Sequence, residues 1–480
     1  MSFFLVAAEG DTEQIPGNIA SLVESSLERN GPNKDDSIWP VIWDFAGQAV
    51  YHAIHPIFMS QEAIYVLALD LTRELAAPAQ CRVRPLDHAE VEVTSPDTED
   101  TNLDHILKWL DLVHSLLTAK KLGQTTEGAF PPVILVGTYA DKVRKSGSDP
   151  TEVMEAALKK ICDMAPREVV DHIHDSFVID NTKAGNPDQQ EDSEIVSLRQ
   201  KILELAAKMP HVKKEVPLQW LRVEEKVYEM VEKGEHYLPK KRFEEDVAEA
   251  ICHFDVKDDV KELLHFLHSR GTIIHHDLPQ NPDGMVVLDP QWLINVLIKI
   301  ITVNPTWKAA PFIKRHYRIL ENEGFLSNDL LNRAFENLKL EGARENLLEV
   351  MEKFNLICNS RGCKGRDFPY FVPCMLTLPM KDKRSKDIDN GPLPVFLTFN
   401  TNYVPSGLFC RLIALFWGWA SQLCGICTEP TLYAKSARFN VSKLYHITLE
   451  AHKTLISVKL WTNADSNQEE EKRLSRELLR

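Results

Sequence analysis

The residues best suited to chemistry are Asp44-Phe45-Ala46-Gly47-Gln48, which close the apolar run beginning at Trp39. An Asp-x-x-Gly turn at a strand end suits the terminal phosphate of a nucleotide. Gly47 lets a backbone N–H approach the phosphate, Asp44 can hold the shell of a Mg²⁺ ion, and Gln48 can orient an attacking water. Read alone, the same residues are a tight turn after a strand. A second half of the site lies about ninety residues later, where Val133-Ile134-Leu135-Val136 runs into Thr138-Tyr139-Ala140-Asp141-Lys142. The Asp141 carboxylate can accept from two N–H donors on the Watson–Crick edge of guanine, a bidentate geometry that adenine does not match. A third strand, Ser176 to Asp180, ends in Asn181-Thr182-Lys183, which stands where a last base-contacting loop belongs. Thr138, Asp141, Lys142, Asn181 and Thr182 are the candidate base-side contacts; Asp44, Gly47 and Gln48 are the phosphate-side ones, with Asp44 the candidate metal ligand and Gln48 the candidate catalytic residue.

One wall of such a site is missing from the sequence. A phosphate loop needs Gly-x-x-x-x-Gly-Lys-Ser/Thr, so that backbone N–H groups cradle the phosphates and the Lys neutralises them. The chain contains no Gly-Lys dipeptide, and only 43 residues precede Asp44. The expectation is a chain shortened at its amino end, without the first strand and phosphate loop.

The elements that must position these residues alternate. Apolar strands are expected at Trp39–Asp44, Ala63–Asp70 and after Pro132, and helices at Leu103–Leu117, Asp149–Asp163 and Glu194–Lys208. That alternation gives a parallel sheet with helices on both faces. Glu74 to Thr101, with Pro78, Pro85 and Pro96, reads as a projecting polar loop. From Val216 the pattern changes. Helices at Leu218–Glu232, Lys241–His253 and Val256–Ser269 precede a hairpin of Thr272–His276 with Met285–Leu288, a winged-helix layout. Trp292–Thr302 and Leu347–Phe354 read as further helices, Met380–Pro392 as a charged linker. Strand-like runs then surround a helix at Leu408–Leu423, a small α+β unit.

The motifs, taken together, resemble one family. Asp-Phe-Ala-Gly-Gln-x-x-Tyr-His-x-x-His-Pro, then Thr-x-Ala-Asp-Lys, then Asp-Asn-Thr is similar to the Roc domain of the ROCO family, a Ras-like GTPase domain followed by a COR domain. Val286-Val287-Leu288-Asp289-Pro290-Gln291-Trp292-Leu293, Tyr370-Phe371-Val372-Pro373 and Tyr403-Val404-Pro405-Ser406-Gly407-Leu408-Phe409 resemble COR signatures. Members from animals with leucine-rich repeats upstream look most alike. The resemblance implies an α/β Ras-like parallel sheet at residues 1–210. It implies a winged-helix-like COR-A part with helical linker at 212–378, a COR-B α+β part at 390–465 and a charged tail at 466–480. It also implies GTP or GDP with Mg²⁺, and a homodimer through COR. It departs at Thr138, where most such loops carry Asn, and at the absent phosphate loop. The function it implies is a guanine-nucleotide switch coupled to COR dimerisation, defective in nucleotide binding. The alternatives are a non-catalytic dimerisation scaffold, or a fragment of a longer protein with a kinase domain outside this chain. No His-Arg-Asp or Asp-Phe-Gly kinase motif is present.

Composition narrows the rest. A net charge of −15, with no Lys/Arg-rich block, argues against nucleic acid as partner. The longest apolar runs, such as Ile294 to Val303, are too short to span a bilayer. Nine cysteines at irregular spacing and no secretory signal fit reduced thiols in the cytosol. His52 and His55 could share a helical face as metal ligands, or pack the segment after the Asp-x-x-Gly turn, the reading their apolar neighbours favour. Leu408 to Trp419, with Phe409, Phe416, Trp417 and Trp419, carries more apolar surface than a small domain needs. It reads either as an interface or as a face buried against the winged-helix part.

Overall fold

The computed structural model describes residues 2–7, 41–45, 54–83, 91–94, 100–116, 129–183, 191–212, 216–249, 257–275, 284–301, 310–360, 365, 367–376, 393–399, 403–405, 407–424, 430–441 and 445–462. The Gly47-Gln48 pair, His52, the Met380–Pro392 linker and the charged tail lie outside these.

The amino-terminal unit is a five-stranded, all-parallel sheet. Its strands are β1 (Ser2–Ala7), β2 (Val41–Phe45), β3 (Ala63–Asp70), β6 (Val133–Thr138) and β7 (Ile173–Val178), in the order β2-β1-β3-β6-β7. The expectation that the first strand is lacking is corrected here. Ser2–Ala7 stands between β2 and β3, paired with both. The run Phe3-Phe4-Leu5-Val6-Ala7 has the length and unbroken apolar character of a central parallel strand, although no glycine-rich loop follows it in sequence.

Both faces of this sheet are covered, which is why β3 and β6 read as continuous apolar runs. Tyr65, Leu67, Leu69, Val133 and Leu135 face helices α1 (Asn102–Ser115), through Ile106, Leu107, Trp109 and Leu110, and α3 (Pro150–Met164), through Met154 and Ile161. Ile64, Val66, Ile134, Val136 and Phe177 face α5 (Ser193–Lys208), through Leu205 and Ala206. Two short helices, α2 (Ala140–Lys145) and α4 (Arg167–Val170), complete the unit. The segment read as a projecting loop contains a hairpin, β4 (Gln80–Val83) with β5 (Val91–Thr94), closed at its base by the Pro78–Thr101 bridge.

The middle unit keeps the winged-helix plan and adds to it. Tyr237–Pro239 joins Met285–Val287 and Ile274–His275 in a three-stranded sheet, one strand more than the hairpin expected from the residues. Within the described part of the helix expected at Lys241–His253, Lys240–Phe243 is α-helical and Glu244–Glu249 continues as a π-helix. Two helices that the residue pattern does not announce, Pro311–Glu323 and Asn328–Leu338, belong to this unit. So does a small sheet of Phe325–Leu326, Tyr370–Phe371 and Cys358–Asn359. The carboxy-terminal unit is a five-stranded antiparallel sheet crossed by the helix Leu408–Cys424. Among the described residues its edge strand Val395–Thr398 pairs only with Leu455–Thr462.

The three units share cores. One apolar cluster runs from α1 and β3 through Leu293, Val296 and Leu297 of the middle unit and includes Tyr403. Another joins Phe325 and Phe371 to Trp417, whose ring lies 5.9 and 4.9 Å from theirs, and to the carboxy-terminal sheet. The aromatic surplus of the Leu408 helix is therefore buried largely within the chain. Trp417 and Phe409 are buried, Phe416 stacks on Phe439 at 6.1 Å, and Leu415 remains exposed.

A candidate nucleotide-binding edge and its coupling to the carboxy-terminal sheet

The base-side residues converge at the carboxyl ends of β6 and β7. Thr138 ends β6, and its hydroxyl donates to the Leu69 carbonyl at 3.0 Å, tying it to β3. Tyr139 then takes a left-handed conformation, φ 60°, rare for a residue with a Cβ. This reversal starts α2 at once and puts Asp141 in its first turn. Lys145 lies one turn on and donates to Asp141 at 2.9 Å; that hydrogen bond is the main cause holding the Asp141 carboxyl below its usual range. Asp141 is thus a ready acceptor for paired N–H donors. The Lys142 ammonium sits 3.8 Å from the centre of the Tyr139 ring, a cation–π contact.

Two backbone bonds stitch this loop to the next, Ile179 N–H to the Gly137 carbonyl at 2.9 Å and Ala140 N–H to the Ile179 carbonyl at 3.4 Å. Asn181 and Thr182, in the 3-10 turn Asn181–Lys183, are exposed beside it. Asp180, the strand's last residue and the first of the Asp-Asn-Thr motif, organises both loops. Its buried carboxylate accepts from the Thr182 N–H at 3.1 Å and hydroxyl at 2.5 Å, and from Arg144 of α2 at 3.4 Å. Gly137 is required by packing, since a Cβ there would stand 2.7 Å from a methyl of Leu71.

The phosphate-side residues are reached only in part. Asp44 is exposed near the end of β2, two strands from β3 and three from β6 in the sheet order. Gly47 and Gln48 lie outside the described residues. His55 is a core residue, with its ring stacked on Trp109 at 4.9 Å and edge-on to Phe45 at 4.8 Å. Among the described residues no cluster of His, Cys, Asp or Glu is arranged to hold a metal ion. Asp44 by itself offers one oxygen, where Mg²⁺ takes six ligands with several waters and substrate phosphates among them.

The most heavily bonded carboxylate lies elsewhere, on α1. Thr101 and Asp104 form a capping box, the Thr101 hydroxyl accepting from the Asp104 N–H and the Asp104 carboxylate accepting from Thr101 N–H at 2.8 Å. Asp104 is only 2% exposed, and its other partners come from the carboxy-terminal unit. Lys453 Nζ donates to it at 2.7 Å and the Tyr403 hydroxyl at 3.1 Å. Burial alone would raise this carboxyl, but the Lys453 ammonium and Thr101 outweigh it and hold it below its ordinary range. Burial and the adjacent Asp104 push the Tyr403 phenol well up, so it stays a donor. The Thr-x-x-Asp spacing is legible in sequence as a helix start; its partners three hundred residues on are not.

A family model for the "Ras of Complex, Roc, domain of DAPkinase" matches residues 11–83, and a model for the "C-terminal of Roc, COR-A domain" matches residues 217–376. The chain belongs to the ROCO family of Roc–COR proteins. "Cyclic GMP-binding protein C" of Dictyostelium discoideum is 24% identical over 263 residues, 54% of this chain and 8% of that protein. "Probable serine/threonine-protein kinase pats1" of the same organism is 23% identical over 287 residues, 60% of this chain and 7% of that protein. "Probable serine/threonine-protein kinase roco6" is 24% identical over 323 residues, 66% and 12%. The chain thus spans 7–12% of the length of these curated relatives. The Roc match covers β2 and β3, and the COR-A match covers the winged-helix part and the helices after it.

Removing Asp104 would leave Lys453 and the Tyr403 hydroxyl without their partner and α1 without its cap. Asp104→Ala is expected to cost about 2–4 kcal/mol and Tyr403→Phe about 1–2 kcal/mol. Urea unfolding of the full chain, followed by tryptophan fluorescence, reads both. A depressed carboxylate contributes stability above the ordinary Asp range, near pH 4, and loses it as pH falls below that range. The wild-type chain should therefore weaken more steeply than Asp104→Ala below about pH 4. A cost under about 1 kcal/mol for Asp104→Ala would contradict the junction.

Proposed function

We propose that this chain is the guanine-nucleotide-responsive Roc–COR core of a signalling protein. In this reading residues 1–210 form Roc, 212–378 COR-A with its helical linker, 390–465 COR-B and 466–480 a charged tail. Asp141, with Thr138, Lys142, Asn181 and Thr182 around it, selects guanine; Gly47 meets the terminal phosphate. Asp44 contributes to the Mg²⁺ shell, and Gln48 orients the water. The observation that carries the reading is the pair of cross-braced loops at the ends of β6 and β7, with Asp141 held ionised between them. The sequence offers no Gly-Lys phosphate cradle, so affinity falls by several kcal/mol, about three or more decades. The chain then works chiefly as an interaction module that keeps the base-side edge. No helix among the described residues is long and apolar enough to cross a membrane, and a cytoplasmic, soluble role fits the acidic composition.

The COR part supplies the assembly. With the Leu408 helix largely buried, one surface open to a second copy among the described residues is the edge strand Val395–Thr398, where Phe396 is 54% exposed, beside Leu393 at 76%. A strand edge with unpaired backbone and apolar side chains pairs readily with its own copy.

Two measurements test these readings. Titration with fluorescent nucleotides should show weak or no binding of GTP and GDP, with any residual binding preferring guanine to adenine and losing that preference in Asp141→Asn. Tight Mg²⁺-dependent GTP binding would show that the first forty residues supply phosphate contacts of an unrecognised kind. Sedimentation at micromolar concentration should give a homodimer that Phe396→Asp shifts toward monomer by at least about tenfold in Kd. A strict monomer at high concentration rules out the dimer.

A further inference from the structure

The opposite end of α1 from Asp104 carries a second buried polar contact, made of histidines. His114 lies in the last turn of α1, and its Nδ1 is 3.1 Å from Nε2 of His172, just before β7. His172 is fully buried, and its Nδ1 is 2.8 Å from the Pro131 carbonyl, just before β6. The rings meet edge to face at 5.2 Å and 83°. His174 joins the same corner, its Nε2 3.0 Å from the Ala129 carbonyl.

The hydrogen count of this pair is fixed by geometry. A carbonyl only accepts, so His172 carries its proton on Nδ1 and, when neutral, presents a lone pair on Nε2. His114 must therefore donate from Nδ1. A first proton goes to Nε2 of His114 and leaves the bond intact, since Nδ1–H still donates. A second proton can go only to Nε2 of His172, where it would face the His114 N–H, and the two donors must part.

We propose that His114 and His172 form an acid-operated latch that fastens the carboxyl end of α1 to the amino edge of the sheet and opens when the pair takes its second proton. Glu168 faces His114; Asp171 and His174 face His172. The two carboxylates favour protonation, while burial, foremost, and the neighbouring imidazoles oppose it. Opposition wins, and both histidines lie below the ordinary range. Groups with depressed imidazole basicity withhold stability as pH falls from the ordinary histidine range downward. The latch is thus shut at neutral pH and opens in acid.

Hydrogen–deuterium exchange of the full chain at pH 7.5 and pH 5.0, corrected for intrinsic rates, tests this. In the wild type, protection of the last turn of α1 and of residues 129–133 and 172–174 should be lost between pH 7.5 and pH 5.0. His172→Asn keeps a donor for the Pro131 carbonyl and removes the titrating acceptor. Its protection should be low and equal at both pH values. Unchanged protection in the wild type overturns the latch. So does the same acid loss in His172→Asn, because other groups would then carry it. Should His172→Asn not fold, the wild type decides alone through histidine ¹³C titration: a bound-state titration of His172 at or above the ordinary range overturns the proposal, and one below it, in step with the loss of protection, supports it.

Discussion

The structure turns on one buried carboxylate. Asp104 must be fully hydrogen-bonded because an ionised carboxyl out of water is costly unless every lone pair is met. Half of its partners belong to the start of its own helix, and half to Tyr403 and Lys453 of the carboxy-terminal unit. Satisfying it forces that unit to sit at the amino end of α1. The same helix lines the sheet face that ends at the candidate base-binding loops, so the Roc sheet and the distant antiparallel sheet share one element.

The nucleotide edge depends on a simpler constraint. Parallel strands buried on both faces leave only their ends for function, and here β6 and β7 end side by side. Asp180, buried, braces one loop against the other, while Asp141 is set in the first turn of α2 by the left-handed Tyr139 and kept ionised by Lys145. The proposed guanine-selective arrangement can therefore persist without a phosphate cradle, because its bracing comes from the sheet and not from the ligand.

Much of this was legible in the residues. The Asp-x-x-Gly turn, the Thr-x-Ala-Asp loop and the alternation of apolar strands with amphipathic helices indicate the Ras-like sheet, and the COR signatures indicate the middle and carboxy-terminal units. Three things were not legible. The strand Ser2–Ala7 lacks the loop that usually announces it, so its central place is a tertiary fact. The helices Pro311–Glu323 and Asn328–Leu338 carry many charges between narrow apolar stripes, and those stripes are buried in the core shared with Pro290–Ile301. The apolar Leu408 helix could be read as an interface or as a core, and Phe325 and Phe371, far away in sequence, provide the core. The functional junction was hidden for the same reason: Asp104 announces a cap, and Lys453 announces nothing.

The most direct test of this coupling is a double-mutant cycle between Asp104→Ala and Lys453→Met, with unfolding free energies measured for the full chain at neutral pH. If the Roc sheet and the carboxy-terminal sheet are held together through this carboxylate, the double variant should lose less than the two single losses added, by at least about 1 kcal/mol. Losses that simply add would mean that the two units are not coupled there.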